Sequence, residues 1–165
     1  MIGVTGWKDM GKTTLVEGLV QTLTARGLRV STIKHAHHDV ELDTPGRDSH
    51  RHRMAGAAEV LVASAGRVAL IEELRGAPEP RLPTLLSRLQ AVDLVVIEGY
   101  KTARHPKLEV FRTAVARDRA PLATTHPGVV AIVGDAPGAA VPILDPDDPE
   151  AIADFALQAA IEVPR

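Results

Sequence analysis

The chain has 165 residues, 45% hydrophobic and 24% charged, with 19 basic and 21 acidic side chains, 2% aromatics and no cysteine. That balance excludes a dominant nucleic-acid or membrane-surface field and leaves almost no stacking platform for single-stranded nucleic acid. It also rules out a disulfide framework, a thiolate metal site and a thiol nucleophile.

Residues 2–5 (IGVT) predict a short buried strand. Over 13–26, Leu15, Val16, Leu19, Val20 and Leu23 recur at helical spacing, and Gly27 is placed as a C-terminal cap. Further β-branched runs at 28–34, 58–64, 67–74, 93–99, 107–111 and 129–133 predict strands. A short helix is expected over 81–91. Near the end, Asp148 can cap a helix with Pro149 at its first position and Ile152, Phe155, Ala156 and Ala159 on its core stripe. Strands alternating with helices predict an α/β sandwich with a mainly parallel sheet and a ligand site at the carboxyl ends of its strands. The run 67–74, between Gly66 and Gly76, reads as an antiparallel hairpin partner of 58–64. A Pro-rich connector (75–83) and an irregular stretch (116–128) interrupt the pattern, but no second core follows either, so residues 1–165 are expected to form a single nucleotide-binding domain. No apolar run approaches the roughly 18 residues of a membrane span, and no export-type leader opens the sequence, so cytoplasm is the expected location.

The chemistry begins at GWKDMGKTTL (6–15). Gly6, Gly11, Lys12 and Thr13 match Gly-x-x-x-x-Gly-Lys-Ser/Thr between a strand and a helix, the context in which that spacing cradles phosphates. Glycines let backbone N–H groups wrap the anion, and the helix N-terminus adds a favourable field. Lys12 would reach the β- and γ-phosphates, and the Thr13 hydroxyl would ligate magnesium. Within the loop, Lys8 adds charge near the phosphates or is an exposed lysine, and Trp7 is a packing anchor or part of a partner surface. Asp9, Met10 and Thr14 complete the cradle. A second requirement is a carboxylate at the end of a neighbouring strand. DLVVIEGYK (93–101) supplies Glu98, followed by Gly99, which permits close backbone approach.

The stretch 34–56 holds five of the seven histidines. Three readings stay open: a switch loop with Asp39 or Asp43 near the ion, a transition-metal site at His35, His37 and His38, or a solvated loop with a short helix at 48–56.

Taken together, GWKDMGKTTL, IKHAHHDVELDTPGRDSHRHRMAGA, DLVVIEGYK followed by HPKLEVFR, and VVAIVGDAPGAAVPILDPDDPEAIADF resemble the molybdopterin-guanine dinucleotide biosynthesis protein B family, MobB, over almost the whole chain. The resemblance implies a three-layer P-loop NTPase fold, GTP binding with weak magnesium-dependent hydrolysis, homodimerisation, and partnership with MobA, the nucleotidyltransferase that joins GMP to molybdopterin. By position, Gly6 through Thr14 would hold the phosphates with Lys12 as the catalytic contributor. Thr13 and Glu98 would hold magnesium, and residues 34–49 would form a loop over the γ-phosphate or toward the cofactor. Whether molybdopterin itself is bound stays open. The chain contains no asparagine, so an Asn-Lys-x-Asp guanine reader is absent, and Asp135 lies where a strand-end carboxylate could accept from guanine or be an ordinary loop aspartate. Two alternatives share the cradle. One is a small-molecule kinase with a lid arginine among Arg47, Arg51, Arg53, Arg117 and Arg119. The other is a GTP-driven nickel chaperone, whose usual cysteine this chain lacks.

Overall fold

The computed structural model describes residues 1–36 and 42–163. In chain order the elements are β1 (Ile2–Thr5), α1 (Lys12–Ala25), β2 (Val30–Lys34), α2 (Asp48–Met54), β3 (Glu59–Ser64), β4 (Arg67–Glu72) and α3 (Leu82–Ser87). They continue with β5 (Leu94–Glu98), β6 (Lys107–Arg112), α4 (Thr113–Ala116), a 3-10 turn (Leu122–Thr124), β7 (Val129–Asp135), β8 (Ile143–Leu144) and α5 (Pro149–Ala159). They fall into two compact units, Met1–His35 with Pro83–Arg165, and Ala36–Leu82.

The first unit is built on a six-stranded sheet of order β2-β5-β1-β6-β7-β8. Every pairing in it is parallel. Helices α1 and α5 pack against each other and against β1, burying Leu19 and Leu23 from one helix and Ile152, Ala153 and Ala156 from the other. The two alanines keep α5 slim where it meets the core. Its start follows the sequence signal: the Asp148 side chain accepts from the Ala151 N–H at 2.9 Å, with Pro149 at the first position. The opposite face of the sheet is closed to solvent as well, since Val95, Ile97, Lys107, Glu109 and Phe111 are all buried. Burial on both faces explains why these strands read as continuous apolar runs rather than as alternation.

The expected hairpin is present, as a sheet of its own. β3 and β4 pair antiparallel from Glu59↔Glu72 to Ser64↔Arg67 and form a two-stranded sheet of their own within the second unit. The main sheet is therefore parallel throughout. In the same unit Arg53 forms ion pairs with Asp43, at 2.5 Å, and with Glu73. Arg75 donates to the carbonyls of Arg53 and Ala57, tying α2 to the base of the hairpin.

Two ionisable side chains, Lys107 and Glu109, are buried two residues apart on one face of β6. Lys107 donates from Nζ to the carbonyls of Ala103 and, at 2.9 Å, His105, which pins the turn leading from β5 into β6. Glu109 accepts from the N–H groups of Leu122 and Ala123 at 2.7 and 2.9 Å, holding the 3-10 turn over the sheet. Burial pushes the Lys107 ammonium down and the Glu109 carboxyl up from their ordinary ranges. His105 is buried beside them; desolvation first, then the charge of Lys107, lowers it from 6.5 to about 4.

Because the folded chain resists protonating His105, the unfolded chain takes the proton first on acidification. The stability this group supplies is therefore complete above its ordinary value of 6.5 and is lost as pH falls from there toward about 4. Melting temperatures of the wild type and of His105→Leu, measured from pH 8 to pH 4, should keep a constant difference above neutrality. Below pH 6.5 the wild type should lose more than the variant.

Candidate functional site

The parallel register brings the ends of β5, β1 and β6 to one edge of the sheet, with Val4 opposite both Glu98 and Leu108. Residues 6–11 turn from β1 into α1 there. Gly6, Asp9 and Gly11 adopt positive φ (144°, 66° and 98°). A Cβ on Gly6 would meet the Val110 carbonyl oxygen at 2.6 Å, so only glycine lets the loop lie this close to β6. α1 begins at Lys12 with no side-chain cap on its first turn, which leaves its N–H groups directed at the loop's concavity. Met10 is 1% exposed and plugs the loop into the core between α1 and the sheet.

Lys12 Nζ donates to the Trp7 carbonyl at 2.8 Å, so its ammonium lies across the loop. Burial lowers its pKa, the Glu98 carboxylate raises it, and Lys101 lowers it again. Thr13 Oγ1 donates to Glu98 Oε1 at 3.4 Å, and Lys34 Nζ sits 3.5 Å from Glu98 Oε2. The expected pairing of Thr13 with a strand-end carboxylate is thus met in space across 85 residues of sequence. Lys12, Thr13 and Glu98, with Lys8, Asp9 and Arg112, line an open cleft of about 440 Å³. A hydroxyl and a carboxylate are hard oxygen donors of the kind magnesium takes. With Lys8 and Lys12 on the same cleft, and beside a glycine-shaped turn that a Cβ would fill, they fit a magnesium-bound polyphosphate.

Around this core the structure sorts the remaining candidates. Trp7 Nε1 donates to the Ala120 carbonyl at 2.9 Å, and Lys101 Nζ and Arg119 Cζ lie over its ring at 4.7 and 5.3 Å from the centroid. Trp7 packs the 116–124 stretch against the glycine loop at 6–11. Gly99 has φ 99°, and a Cβ there would come within 2.9 Å of His35 Cβ. That closeness lets the His35 N–H reach the Glu98 carbonyl at 2.9 Å and the His35 ring stack on Tyr100 with centroids 4.5 Å apart. Asp135 accepts the Thr113 N–H at 2.9 Å, while Thr113 Oγ1 donates back to the Asp135 carbonyl at 3.1 Å. These hydrogen bonds hold its carboxyl below the usual range.

Sequence reasoning missed Arg112. It ends β6, and its guanidinium donates to the Asp9 carbonyl at 3.1 Å across 103 residues. The available signal was a charged residue closing the apolar run KLEVF, next to the strand that feeds the loop. In the second unit, Asp43 and Arg53 are engaged with each other, and Arg51 lies 3.9 Å from Asp48. His37, His38 and Asp39 lie outside the described residues. Among the described residues no group of three His, Cys, Asp or Glu is placed to hold a metal ion, and no helix is long and apolar enough to cross a membrane.

A sequence model of the family described as MobB, molybdopterin guanine dinucleotide synthesis protein B, matches residues 1–135. The chain belongs to this family. It is 38% identical over 161 residues to the molybdopterin-guanine dinucleotide biosynthesis adapter protein of Escherichia coli K12, covering 96% of this chain and 91% of that protein. It is also 38% identical over 120 residues to the adapter protein of Haemophilus influenzae, covering 71% and 66% of the two chains. Among solved structures it is similar to Bacillus subtilis MobB, with a TM-score of 0.74, 26% identity and 97% of each chain covered. A MobB homologue from Bacillus stearothermophilus follows with a TM-score of 0.66, 28% identity and 96% of each chain covered. The MobB likeness thus spans both the cradle and the strands that supply Glu98 and Arg112.

Gly6→Ala places a methyl group against the Val110 carbonyl in a backbone conformation L-residues avoid, which costs about 1–3 kcal/mol of strain. Chemical denaturation should show a loss of that order, where an ordinary exposed glycine-to-alanine change is near neutral.

Proposed function

We propose that the chain binds GTP with magnesium in the cradle at 6–14 and acts as an adapter in forming molybdopterin guanine dinucleotide, alongside a MobA-type nucleotidyltransferase. The observation that carries the nucleotide part is the convergence of Lys12, Thr13 and Glu98 on one face of the glycine loop. Backbone N–H groups of the loop hold the phosphates, Lys12 offsets their charge, and Thr13 with Glu98 holds magnesium, which bridges phosphate oxygens and neutralises charge there. Family membership supports the pathway, since the relatives' names place them in molybdopterin-guanine dinucleotide biosynthesis.

Hydrolysis in this reading is slow. Orienting the attacking water supplies much of the catalysis in phosphoryl transfer, and the described residues lining the cleft include no glutamine for that task. The chain then acts through complexes more than through turnover. Homodimerisation belongs to the same proposal: Leu61, Val62, Val68 and Leu70 of the hairpin are 44–67% exposed, apolar surface of the kind that association covers.

Lys12→Ala should remove GTP binding in calorimetry while leaving the melting temperature nearly unchanged, because the lysine supplies charge to the site and little to the core. GTP affinity equal to wild type in the folded variant would contradict the cradle. Glu98→Gln should weaken GTP binding only when magnesium is present. In pull-downs with the nucleotidyltransferase, wild-type protein should be retained in a GTP-dependent manner and Lys12→Ala should not; equal retention of both with and without GTP would remove the nucleotide from the adapter's role.

A further inference from the structure

A second cavity, of about 190 Å³, opens beside the phosphate cleft and shares Gly11 and Arg112 with it. It runs between α1 and α5, over β6 and β7, with Thr14, Leu15 and Gly18 on one wall and Val110 and Pro146 among those facing them. Pockets for drug-sized ligands span roughly 300–1,000 Å³, so this one takes a fragment such as a single fused heteroaromatic ring. Among the described residues lining it, Arg112 is the only charged one.

Two further observations bear on what this pocket can hold. Gly18 sits in the middle of α1, where glycine is a poor helix former. Its backbone does not need glycine's freedom, and an added Cβ would meet nothing within 4 Å. Packing therefore does not require the missing side chain, and what its absence supplies is room on the pocket wall. The Asp135 carboxylate is engaged by the Thr113 N–H and is not among the lining residues.

We propose that this apolar pocket holds the purine base of the nucleotide and that Arg112 selects guanine through its O6 and N7 edge, a reading that rests on the nucleotide site above. A guanidinium carries five N–H donors and no acceptor. One of its nitrogens is engaged with the Asp9 carbonyl, which anchors the fork where base and phosphate subsites meet. Guanine offers two acceptors on one edge, O6 and N7, whereas adenine offers N7 beside an N6 amino donor. A donor-only side chain thus pairs with guanine and opposes adenine. Arg112 would in this way read the base in a chain that contains no asparagine.

Dissociation constants for GTP, ITP, ATP and inorganic tripolyphosphate, each with magnesium, test this. Inosine keeps O6 and N7 but lacks the 2-amino group, so ITP should bind within about threefold of GTP, and ATP about tenfold or more weakly. Arg112→Met, which keeps the length of the stem, should bring the GTP to ATP ratio close to one. A role confined to holding Asp9 would weaken both nucleotides alike and leave their ratio intact. Gly18→Leu should fill the pocket, lower GTP affinity about tenfold or more, and leave tripolyphosphate binding as it is.

An unchanged GTP to ATP ratio in Arg112→Met overturns the assignment of Arg112, as does a wild type without guanine preference. GTP favoured strongly over ITP, with that preference lost in Asp135→Asn, would assign the reading to a carboxylate instead. Equal GTP affinity in the wild type and Gly18→Leu overturns the pocket. If the wild type binds neither GTP nor tripolyphosphate, the nucleotide site itself fails, an outcome distinct from all of these.

Discussion

Parallel pairing of β1 with β5 on one side and β6 on the other is the constraint from which the site follows. Strands that run the same way end at the same edge, so residues far apart in sequence are delivered to one place. Val4 lies opposite Glu98, and two residues on the chain turns through Gly6 into the glycine loop. Glu98 meets Thr13 because its side chain projects from the face of the sheet that α1, which carries Thr13, covers. Arg112 reaches Asp9 because β6 ends beside the same loop. A one-residue slip of β5 against β1 would turn Glu98 to the other face and leave Thr13 without its carboxylate.

The loop itself is held by side-chain contacts at three of its residues. Met10 anchors it in the core, Arg112 holds the Asp9 carbonyl, and Trp7 ties it to the 116–124 stretch. That stretch is in turn fastened by the buried Glu109 carboxylate, which takes two backbone N–H groups from the 3-10 turn. Burying a carboxylate is costly unless hydrogen bonds replace its water, and here both oxygens receive one. The glycine loop therefore rests on a chain of contacts that runs from β6 through the 3-10 turn to Trp7.

Much of this was legible before any coordinates, and for local reasons. The glycine, lysine and threonine spacing encodes its own geometry, so the turn at 6–11 and the start of α1 fell where the sequence placed them. β-branched runs marked β1, β5 and β7 because burial on both faces demands them. The cap at Asp148 and the hairpin at 59–72 followed from turn chemistry. Missed elements were the short ones: α4, the 3-10 turn, and the two residues of β8, which exists only through its pairing with β7. Strand order was also out of reach, because a strand's neighbours are chosen by packing across the whole fold. For the same reason the sequence could not show Arg112 at the loop, Asp135 held by Thr113, or the hairpin forming a sheet apart from the parallel one.

The central claim is that the edge shared by β1 and β5 is a magnesium nucleotide site. Calorimetric titration of the wild-type chain with GTP, in the presence and then the absence of magnesium, addresses it most directly. The account predicts one nucleotide bound per chain, with affinity falling about tenfold or more when magnesium is withdrawn, as expected where the ion bridges phosphate to Thr13 and Glu98. Saturable binding of equal strength in both titrations, or none in either, would contradict it.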